Sequence, residues 1–133
     1  MNMISRDERK RQKGLKKFLL SFTYPIKGLK YAYRNEQNLV VDFGVALIVI
    51  IASFIFKVSF IEASILTLTI GLVIAFELMN TAIEATVDLV TEDYHPLAKV
   101  AKDTSAACVF VMAISAAIVG LIIFLPKVIN ILF

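Results

Sequence analysis

The sequence lacks most of the features that mark small nucleotide-binding or metal-stabilised domains. Its one cysteine, Cys108, permits no intrachain disulfide, and the two preceding alanines indicate a small packing residue rather than a reactive thiol. There is no GxxxxGK[ST] phosphate loop, no GxGxxG fingerprint and no zinc-ligand spacing. Its one histidine, His95, precedes a proline, which favours a turn residue over a metal ligand. Any binding site must therefore be built from other residues.

Charged residues are also scarce over long stretches. The 133 residues are 59% hydrophobic, with a mean hydropathy of +0.79. A soluble domain of this size cannot bury so much apolar surface, so the composition predicts a membrane protein. We expect an all-α fold with three spans, at about residues 39–56, 60–90 and 104–126. The second is too long to lie wholly in hydrocarbon, and the third carries no charge.

Basic residues are distributed unevenly along the chain. Ten of the 14 Lys and Arg residues lie in residues 1–34. Beside membrane spans such a cluster marks the cytoplasmic side and attracts anionic lipid, which we favour over binding to nucleic acid. The N-terminus and the loop at residues 91–103 are therefore predicted to lie inside, with Lys57 and Lys127 outside. The basic region is too long for a secretory signal, and no cleavage site follows a short apolar core.

The N-terminal region divides into two predicted parts. Residues 1–13 are expected to form a disordered basic tail, and residues 14–133 a single membrane-embedded domain. From Gly14 to about Arg34, apolar residues recur at helical spacing with lysines between them, which predicts an amphipathic helix on the membrane surface, interrupted near Pro25. Small residues in the third span favour close helix approach, and self-association would supply the packing partners that three spans lack.

Polar side chains recur in the run FELMNTAIEATVDLV at residues 76–90, where the second span should be apolar. At helical spacing they share one face about 100° wide: Glu77, Asn80, Thr81, Glu84 and Asp88. Asn and Thr alone would suit a stripe that only joins helices. Three carboxylates on one face repel one another unless a metal ion, a proton or Lys102 lies among them, which indicates a functional site. Carboxylates hold Mg²⁺ when substrate phosphates complete its octahedron.

Three further charged residues lie at the same end of the predicted spans. Glu36 stands just before the first span and is either a site residue or an ordinary helix-end charge. Lys102 and Asp103 are expected to open the third helix. Lys102 is either a partner of the carboxylates or an interfacial anchor, and Asp103 is either a site residue or an N-cap. Residue types alone leave these alternatives open.

The run ELMNTAIEATVDLV, followed by YHPLAKVAKDTSAA, resembles the prokaryotic diacylglycerol kinase family and especially its Gram-positive undecaprenol kinase branch. The family signature is roughly E-x-x-N-[ST]-A-I-E-x-x-V-D, then Y-H and A-K-D, and all of it is present. The match extends in order and spacing from Tyr31 to Phe133 and includes Arg34-Asn35-Glu36 before the first span. A motif of this length has little chance of arising at random.

The resemblance implies a surface helix plus three transmembrane helices, assembled in the bacterial cytoplasmic membrane as a homotrimer with sites shared between subunits. It also implies transfer of the γ-phosphate of ATP to a lipid hydroxyl at the cytoplasmic surface. By motif position Glu77 resembles the catalytic base, while Glu36 and Glu84 resemble ligands that hold Mg²⁺ against the nucleotide phosphates. The positions that resemble residues binding the nucleotide or shaping the site are Asn80, Lys102 and Asp103.

The helical spacing agrees with these roles. Glu77 lies about two turns, or roughly 10 Å, deeper than Glu84 along the helix axis. Glu77 is therefore expected to face a lipid headgroup hydroxyl, while Glu84 faces the aqueous phosphates. A carboxylate shielded from water suits a general base. Phosphoryl transfer also needs a positive charge near the γ-phosphoryl group, which Lys102 can supply.

Other functions make different demands on the sequence. The branch implies undecaprenol as the acceptor, and the alternative is diacylglycerol, which no residue property separates from it. A proton or cation carrier would need polar residues across the whole bilayer, but residues 61–75 hold only Glu62 besides Ser and Thr. A small regulatory subunit without chemistry would not need Glu36, Glu84 and Lys102 together.

Overall fold

The computed structural model describes residues 14–132, and this part of the chain is helical with short connections. In chain order its helices are α1 (Leu15–Asn35), α2 (Gln37–Ile55), α3 (Phe60–Val90) and α4 (Pro96–Leu132). No strand occurs within residues 14–132, so the all-α prediction is confirmed there. The tail predicted to be disordered, residues 1–13, lies outside the described residues. The chain divides between Asn35 and Glu36 into two compact units.

In the first unit, α1 is a continuous helix. It runs through Pro25, so the interruption predicted near that residue does not occur. The rings of Phe18 and Phe22 pack edge to face with their centroids 5.1 Å apart. Both rings remain more than half exposed, as does Ile26. The location of α1 on a membrane surface stays a prediction.

In the second unit, three helices are long and apolar enough to cross a membrane, which confirms the predicted number of spans. Helix α3 has the predicted bounds, and α2 differs from its prediction by one or two residues. Few residues of these helices are buried within the chain. In the most apolar stretch of each helix, the buried share of residues is 11% for α2, 11% for α3 and 6% for α4. The apolar surface of these helices therefore needs a cover that one chain does not provide.

Helix α4 begins earlier than the sequence suggested. The predicted start was Thr104, but the helix starts at Pro96, so the predicted loop at residues 91–103 shrinks to residues 91–95. Asp103 lies inside the helix, and its alternative role as an N-cap is wrong. Proline fits the first helical position because its backbone angle is already helical and the N–H it lacks would be unpaired there.

The one histidine of the sequence caps this helix. His95 Nδ1 accepts a hydrogen bond from the backbone N–H of Leu97 at 3.2 Å, and its carbonyl accepts from the N–H of Lys99 at 3.0 Å. Such contacts satisfy N–H groups that have no partner within the first turn. The prediction that His95 is a turn residue therefore holds.

A tight turn connects α2 to α3. Lys57 adopts a left-handed backbone with a φ of 48°, which ends α2. Ser59 and Glu62 then form a capping box at the start of α3. The Ser59 hydroxyl accepts from the Glu62 N–H at 3.3 Å, and Glu62 Oε2 accepts from the Ser59 N–H at 2.6 Å. Because this connection is so short, the two helices run in opposite directions.

Helix α4 packs along α3 more extensively than α2 does. Because α4 runs antiparallel to α3, the unit has two distinct ends. The acidic end holds Glu36 before α2, the C-terminal half of α3 from Glu77 onward, and Lys102 near the start of α4. The distal end holds the turn after α2, Glu62 at the start of α3, and Lys127 near the end of α4. There the rings of Phe56 and Phe124 meet edge to face at 5.9 Å.

Candidate active site

In the C-terminal half of α3 the polar face is buried and the apolar face is exposed. Three polar side chains of the predicted face are buried, with Glu77 4% exposed, Asn80 8% and Thr81 7%. On the other side of the helix, Met79 is 60% exposed and Leu89 86%. A helix surrounded by water would turn these faces the other way. In a membrane the apolar face meets lipid, and the polar face must find its partners inside the protein.

Glu77 and the carboxylates that act on it electrostatically are called the carboxylate cluster, although no three of them are grouped closely enough to hold a metal ion. The charged groups that act on it electrostatically are Asp42 first, then Glu36, then Glu84. Asp42 belongs to α2, Glu36 immediately precedes α2, and Glu84 lies two turns further along α3. All of these neighbours are acidic, so the cluster carries mutual repulsion that a bound cation or proton would relieve.

Glu36 lies at the start of α2, but its side chain does not cap the helix. It is the N-cap residue, with an extended backbone at φ −111° and ψ 112°, but its side chain makes no capping hydrogen bond. A carboxylate that capped the helix would accept from an N–H of the first turn. Glu36 is therefore not a side-chain cap, and its half-buried carboxylate is either a helix-end charge or a ligand of the site, as the sequence left open.

Asn80 joins Glu84 to the neighbouring helix. Its Nδ2 donates to Glu84 Oε1 at 2.9 Å, and its Oδ1 accepts from the hydroxyl of Ser105 on α4 at 2.6 Å. Asn80 and Ser105 are both buried. The hydroxyl of Thr81, by contrast, donates to the carbonyl of Glu77 in its own helix at 3.0 Å. Thr81 therefore has a local role, whereas Asn80 links two helices.

Lys102 is the lysine that pairs with the polar face of α3, but it does not lie in the middle of the carboxylates. Its Nζ pairs with Asp88 Oδ1 at 2.5 Å, and both side chains are partly exposed. Asp88 and Glu84 are the acidic groups that act on it, while Lys102 is not among the charges that act on Glu77. The lysine thus lies at the exposed edge of the acidic end and leaves Glu77 without a cationic partner there.

Asp103 lies apart from the carboxylate cluster. It pairs with Lys99 one turn earlier in α4, and both side chains are exposed. Together with Asp88 and Lys102 it lines an open groove of about 470 Å³ beside the connection between α3 and α4. Tyr94 and His95 also line this groove, so it combines charged and aromatic surface. Because the lining has four carboxylates and only two lysines, its aromatic surface suits a ring system better than unaccompanied phosphates.

Within residues 14–132, no three His, Cys, Asp or Glu side chains are grouped to hold a metal ion. Mg²⁺ does not require such a group, because it keeps several waters and binds through one or two carboxylates plus substrate phosphates. Glu36 and Glu84 both act on Glu77, and Asn80 engages only one oxygen of Glu84. These hard oxygen donors fit Mg²⁺, and their assignment as its ligands stays a prediction.

Asp42 is a carboxylate of α2 that the sequence pattern does not single out. Its Oδ2 is buried and has no hydrogen-bond partner within the described part of the chain. Asp42 lines a cavity of about 340 Å³ between α2, α3 and α4, whose other walls are apolar or small except for Thr69. A single charge inside an apolar helix is a signal of function that would have identified it.

The structure brings most of the predicted site residues to one end of the helical unit. Glu77 has Glu36 and Glu84 as electrostatic neighbours, and Asn80 bonds to Glu84. Lys102 lies at the edge of this set, and Asp103 lies outside it. Ser105 was missed because its run of small residues indicated only close packing, and its bond to another helix is not visible in the sequence.

Comparison with known proteins gives consistent matches over this region. The sequence model described as prokaryotic diacylglycerol kinase matches residues 23–124. The chain is 43% identical over 121 residues to the undecaprenol kinase of Bacillus subtilis (strain 168), which covers 91% of this chain and 98% of that protein. It is 39% identical over 115 residues to a diacylglycerol kinase of Synechocystis sp., covering 86% and 66%. For a diacylglycerol kinase of Pseudomonas aeruginosa the identity is 37% over 102 residues, covering 77% and 83%.

Proposed function

This chain belongs to the prokaryotic diacylglycerol kinase family, and on that premise we propose that it transfers the γ-phosphoryl group of ATP to undecaprenol, giving undecaprenyl phosphate. The Bacillus subtilis relative named undecaprenol kinase matches along 98% of its length, which favours this acceptor. The relatives named diacylglycerol kinase make diacylglycerol the alternative acceptor. Either way the chain is a membrane lipid kinase.

The observation that carries the proposal is the carboxylate cluster around Glu77, with Lys102 at its exposed edge. A kinase site needs acids that hold a metal against phosphates, a cation near the γ-phosphoryl group and a base near the acceptor. The acidic end contains a candidate for each task. Their order along α3 places Glu77 deeper than Glu84 by about 10 Å, so the base lies on the lipid side of the phosphates.

In the proposed reaction, the acceptor hydroxyl donates its proton to the carboxylate of Glu77. The hydroxyl oxygen then forms a bond to the γ-phosphorus, while the bond from this phosphorus to the β–γ bridging oxygen breaks. ADP leaves with that electron pair, and the products are a lipid phosphate, ADP and a proton. Glu77 suits this task because it is 4% exposed, so bulk water does not compete for its carboxylate.

The remaining polar residues bind and orient the nucleotide. Glu36 and Glu84 would hold Mg²⁺, which when bound supplies positive charge to the phosphate oxygens. Lys102 is exposed enough to exchange Asp88 for a phosphate, because an ion pair at the surface is worth little. Asp103 lines the groove beside the α3–α4 connection, which we assign to the ribose and base. Asn80 acts on the nucleotide indirectly, through Glu84.

The apolar cavity provides a place for the acceptor chain. Its walls come from all three helices, and Asp42 is the one charged residue among them. The unpartnered Oδ2 of Asp42 can accept a hydrogen bond from the acceptor hydroxyl as the alcohol enters, before its single O–H hydrogen turns to Glu77. Asp42 also acts electrostatically on Glu77, so we place the entering alcohol at the side of the cavity toward the proposed base.

An ion carrier is the second class of function that intramembrane carboxylates favour. A carrier requires polar groups along the whole path, but residues 63–76 of α3 contain no ionisable side chain. The acid at the far end of that stretch, Glu62, is committed to its capping box and to Lys127. Both features argue against a carrier.

Orientation and assembly form part of the same proposal. ATP is cytoplasmic, so the acidic end faces the cytoplasm of the bacterial cell and the N-terminus lies inside, as the basic residues predict. A homotrimer with sites shared between neighbouring subunits would cover helices that bury few residues in one chain. On this view, residues of two chains complete each site, and the purified protein has the mass of three chains.

The test is transfer of labelled phosphate by the purified full-length protein. Mg²⁺, ATP labelled at the γ-position and equal amounts of undecaprenol and diacylglycerol are supplied together, with phosphatidylcholine as a lipid without a free hydroxyl. We expect the label in undecaprenyl phosphate and none in phosphatidylcholine. Preferential labelling of diacylglycerol would establish the alternative acceptor. No label in either alcohol, with the protein intact as an oligomer, would contradict the kinase proposal.

A further inference from the structure

We propose that Ser105 is a positioning residue of this kinase: its hydroxyl orients the Asn80 amide, which in turn holds the carboxylate of Glu84 in place for the metal-bound nucleotide. The inference rests on the proposed function, because it assigns Glu84 to the nucleotide site. It adds a residue of α4 that neither the motif nor the charge pattern marked.

The three side chains form one continuous chain of hydrogen bonds across two helices. Ser105 Oγ lies 2.6 Å from Asn80 Oδ1, and Asn80 Nδ2 lies 2.9 Å from Glu84 Oε1. Ser105 is 6% exposed and Asn80 8%, while Glu84 is only half-buried. The chain therefore runs from the packed interface between the helices to a carboxylate within reach of a ligand.

The direction of these bonds follows from the chemistry of the groups. An ionised Glu84 can only accept, so the amide of Asn80 must turn its NH₂ toward Glu84 and its oxygen toward Ser105. The hydroxyl of Ser105 is then required as the donor to that oxygen. The carbonyl of Lys102 one turn earlier is a second acceptor for the single hydrogen of this hydroxyl at 2.9 Å, and the shorter distance of 2.6 Å favours Asn80 Oδ1. Without Ser105, the buried oxygen of Asn80 loses its donor, and the amide is free to rotate.

The bonding partner of this hydroxyl differs from those of other hydroxyls in the spans. Other serine and threonine hydroxyls of the spans donate to a carbonyl of their own helix, as Ser115 does to Val111 at 2.9 Å. Ser105 also has a carbonyl of its own helix within reach, that of Lys102, but it lies closer to Asn80 Oδ1, on a side chain of another helix that itself bonds a charged group. Residues that orient a metal ligand in this way typically change metal affinity or activity about 10–100-fold when replaced.

The experiment compares Ser105→Ala with the matched control Ser115→Ala on the same helix. Binding of an ATP analogue with a methylene group between its β- and γ-phosphorus atoms is measured by calorimetry as MgCl₂ is raised. For Ser105→Ala we expect the Mg²⁺ concentration at half-maximal binding to rise about tenfold, with turnover approaching that of the unsubstituted protein at saturating Mg²⁺. Ser115→Ala should match the unsubstituted protein in both measurements.

A second comparison separates positioning from general packing. In a Glu84→Gln background, Ser105→Ala should cause no further shift of the Mg²⁺ midpoint, because the carboxylate that it positions is gone. An equal shift in both backgrounds, or an unshifted midpoint in Ser105→Ala alone, would overturn the inference. If Ser105→Ala does not assemble, Ser105→Cys keeps the volume with a weaker donor. An unshifted midpoint in that variant would overturn the inference equally.

The same titration distinguishes this inference from the proposed function. If the unsubstituted protein binds the analogue without any dependence on Mg²⁺, the assignment of the nucleotide site fails. If its binding depends on Mg²⁺ and Ser105→Ala has the same midpoint, only the role of Ser105 fails.

Discussion

The two ends of the α3–α4 pair are built from the same kinds of residue but differ in how well their charges are balanced. At the distal end, Glu62 accepts from the N–H of Ser59 and pairs with Lys127 at 3.0 Å, and both charged side chains are about three-quarters shielded from water. At the acidic end, Lys102 pairs with Asp88 at the edge, while Glu77 has only acids as electrostatic neighbours.

This difference separates a structural contact from the binding site that we propose. The distal end has a single acid, Glu62, which both serves the helix terminus and pairs with Lys127, and a second lysine, Lys57, lies in the turn. At the acidic end, Lys99 and Lys102 are already paired with Asp103 and Asp88, which leaves the carboxylates around Glu77 unbalanced, and Asp42 there has a buried oxygen without a partner. Folded proteins keep such unbalanced polar groups mainly where a ligand completes them. The comparison predicts that equivalent substitutions at the two ends affect different properties.

The largest effect is expected for Glu77→Gln. This nearly isosteric change keeps hydrogen-bonding capacity but removes the proposed base, so the rate of lipid phosphorylation should fall by about 10²–10⁴. Binding of Mg-ATP should remain close to that of the unsubstituted protein. Nucleotide affinity and lipid phosphate are measured on the same oligomeric preparation. Glu62→Gln is the matched control, and it should retain activity. Full activity in Glu77→Gln would show that this carboxylate has only a structural role.

A smaller loss is expected when the lysine of each end is replaced in turn. Lys102→Met removes the cation proposed to face the γ-phosphoryl group and should lower kcat/KM for ATP by about 10². Lys127→Met removes the cation that pairs with Glu62 and should leave kcat/KM for ATP unchanged. Steady-state kinetics with varied ATP at saturating lipid provide the measurement. Equal losses in the two variants would mean that both lysines act through the fold.

The smallest effect concerns stability at the distal end. Glu62→Gln should keep the capping box, since glutamine also serves at this position, and lose only the ion pair with Lys127. Glu62→Ala loses both contacts. We expect the melting temperature to fall by a few degrees in Glu62→Ala and by less in Glu62→Gln, with lipid phosphorylation retained. A loss of turnover without any change in melting temperature would contradict the structural role of this end.

The apolar pattern predicted the bounds of a helix well where the helix ends at a clear change in hydropathy. The bounds of α3 and the turn after α2 were predicted because the apolar run there ends in a change of composition at Lys57 and Ser59. The sequence pattern places the start of α4 too late, because charged residues between two apolar runs suggest a loop. In fact Pro96 begins a helix that carries Lys99, Lys102 and Asp103 on its first turns, since such side chains are compatible with a helix that extends beyond the hydrocarbon.

The site was predictable within a helix but not between helices. The face that contains Glu77, Asn80 and Glu84 follows from the period of the helix. Which residue of α4 meets Asn80 depends on the axial register of two packed helices, and a one-turn shift would replace Ser105 with Lys102 or Val109. Register is fixed by the whole interface, so the Ser105 bond could not be inferred from the sequence.

The inverted faces of α3 have a consequence for biogenesis. A ribosome makes the chain from its N-terminus, so the acid-bearing half of α3 emerges before α4, which carries Ser105 and Lys102. A carboxylate at the centre of a lone inserting helix costs several kcal/mol, and α3 has no cationic residue of its own to offset it. We therefore expect α3 to enter the bilayer in stages, with its polar half retained by the translocon until the following hairpin is complete. Truncation of the nascent chain before residue 96 would then leave α3 unable to settle across the membrane.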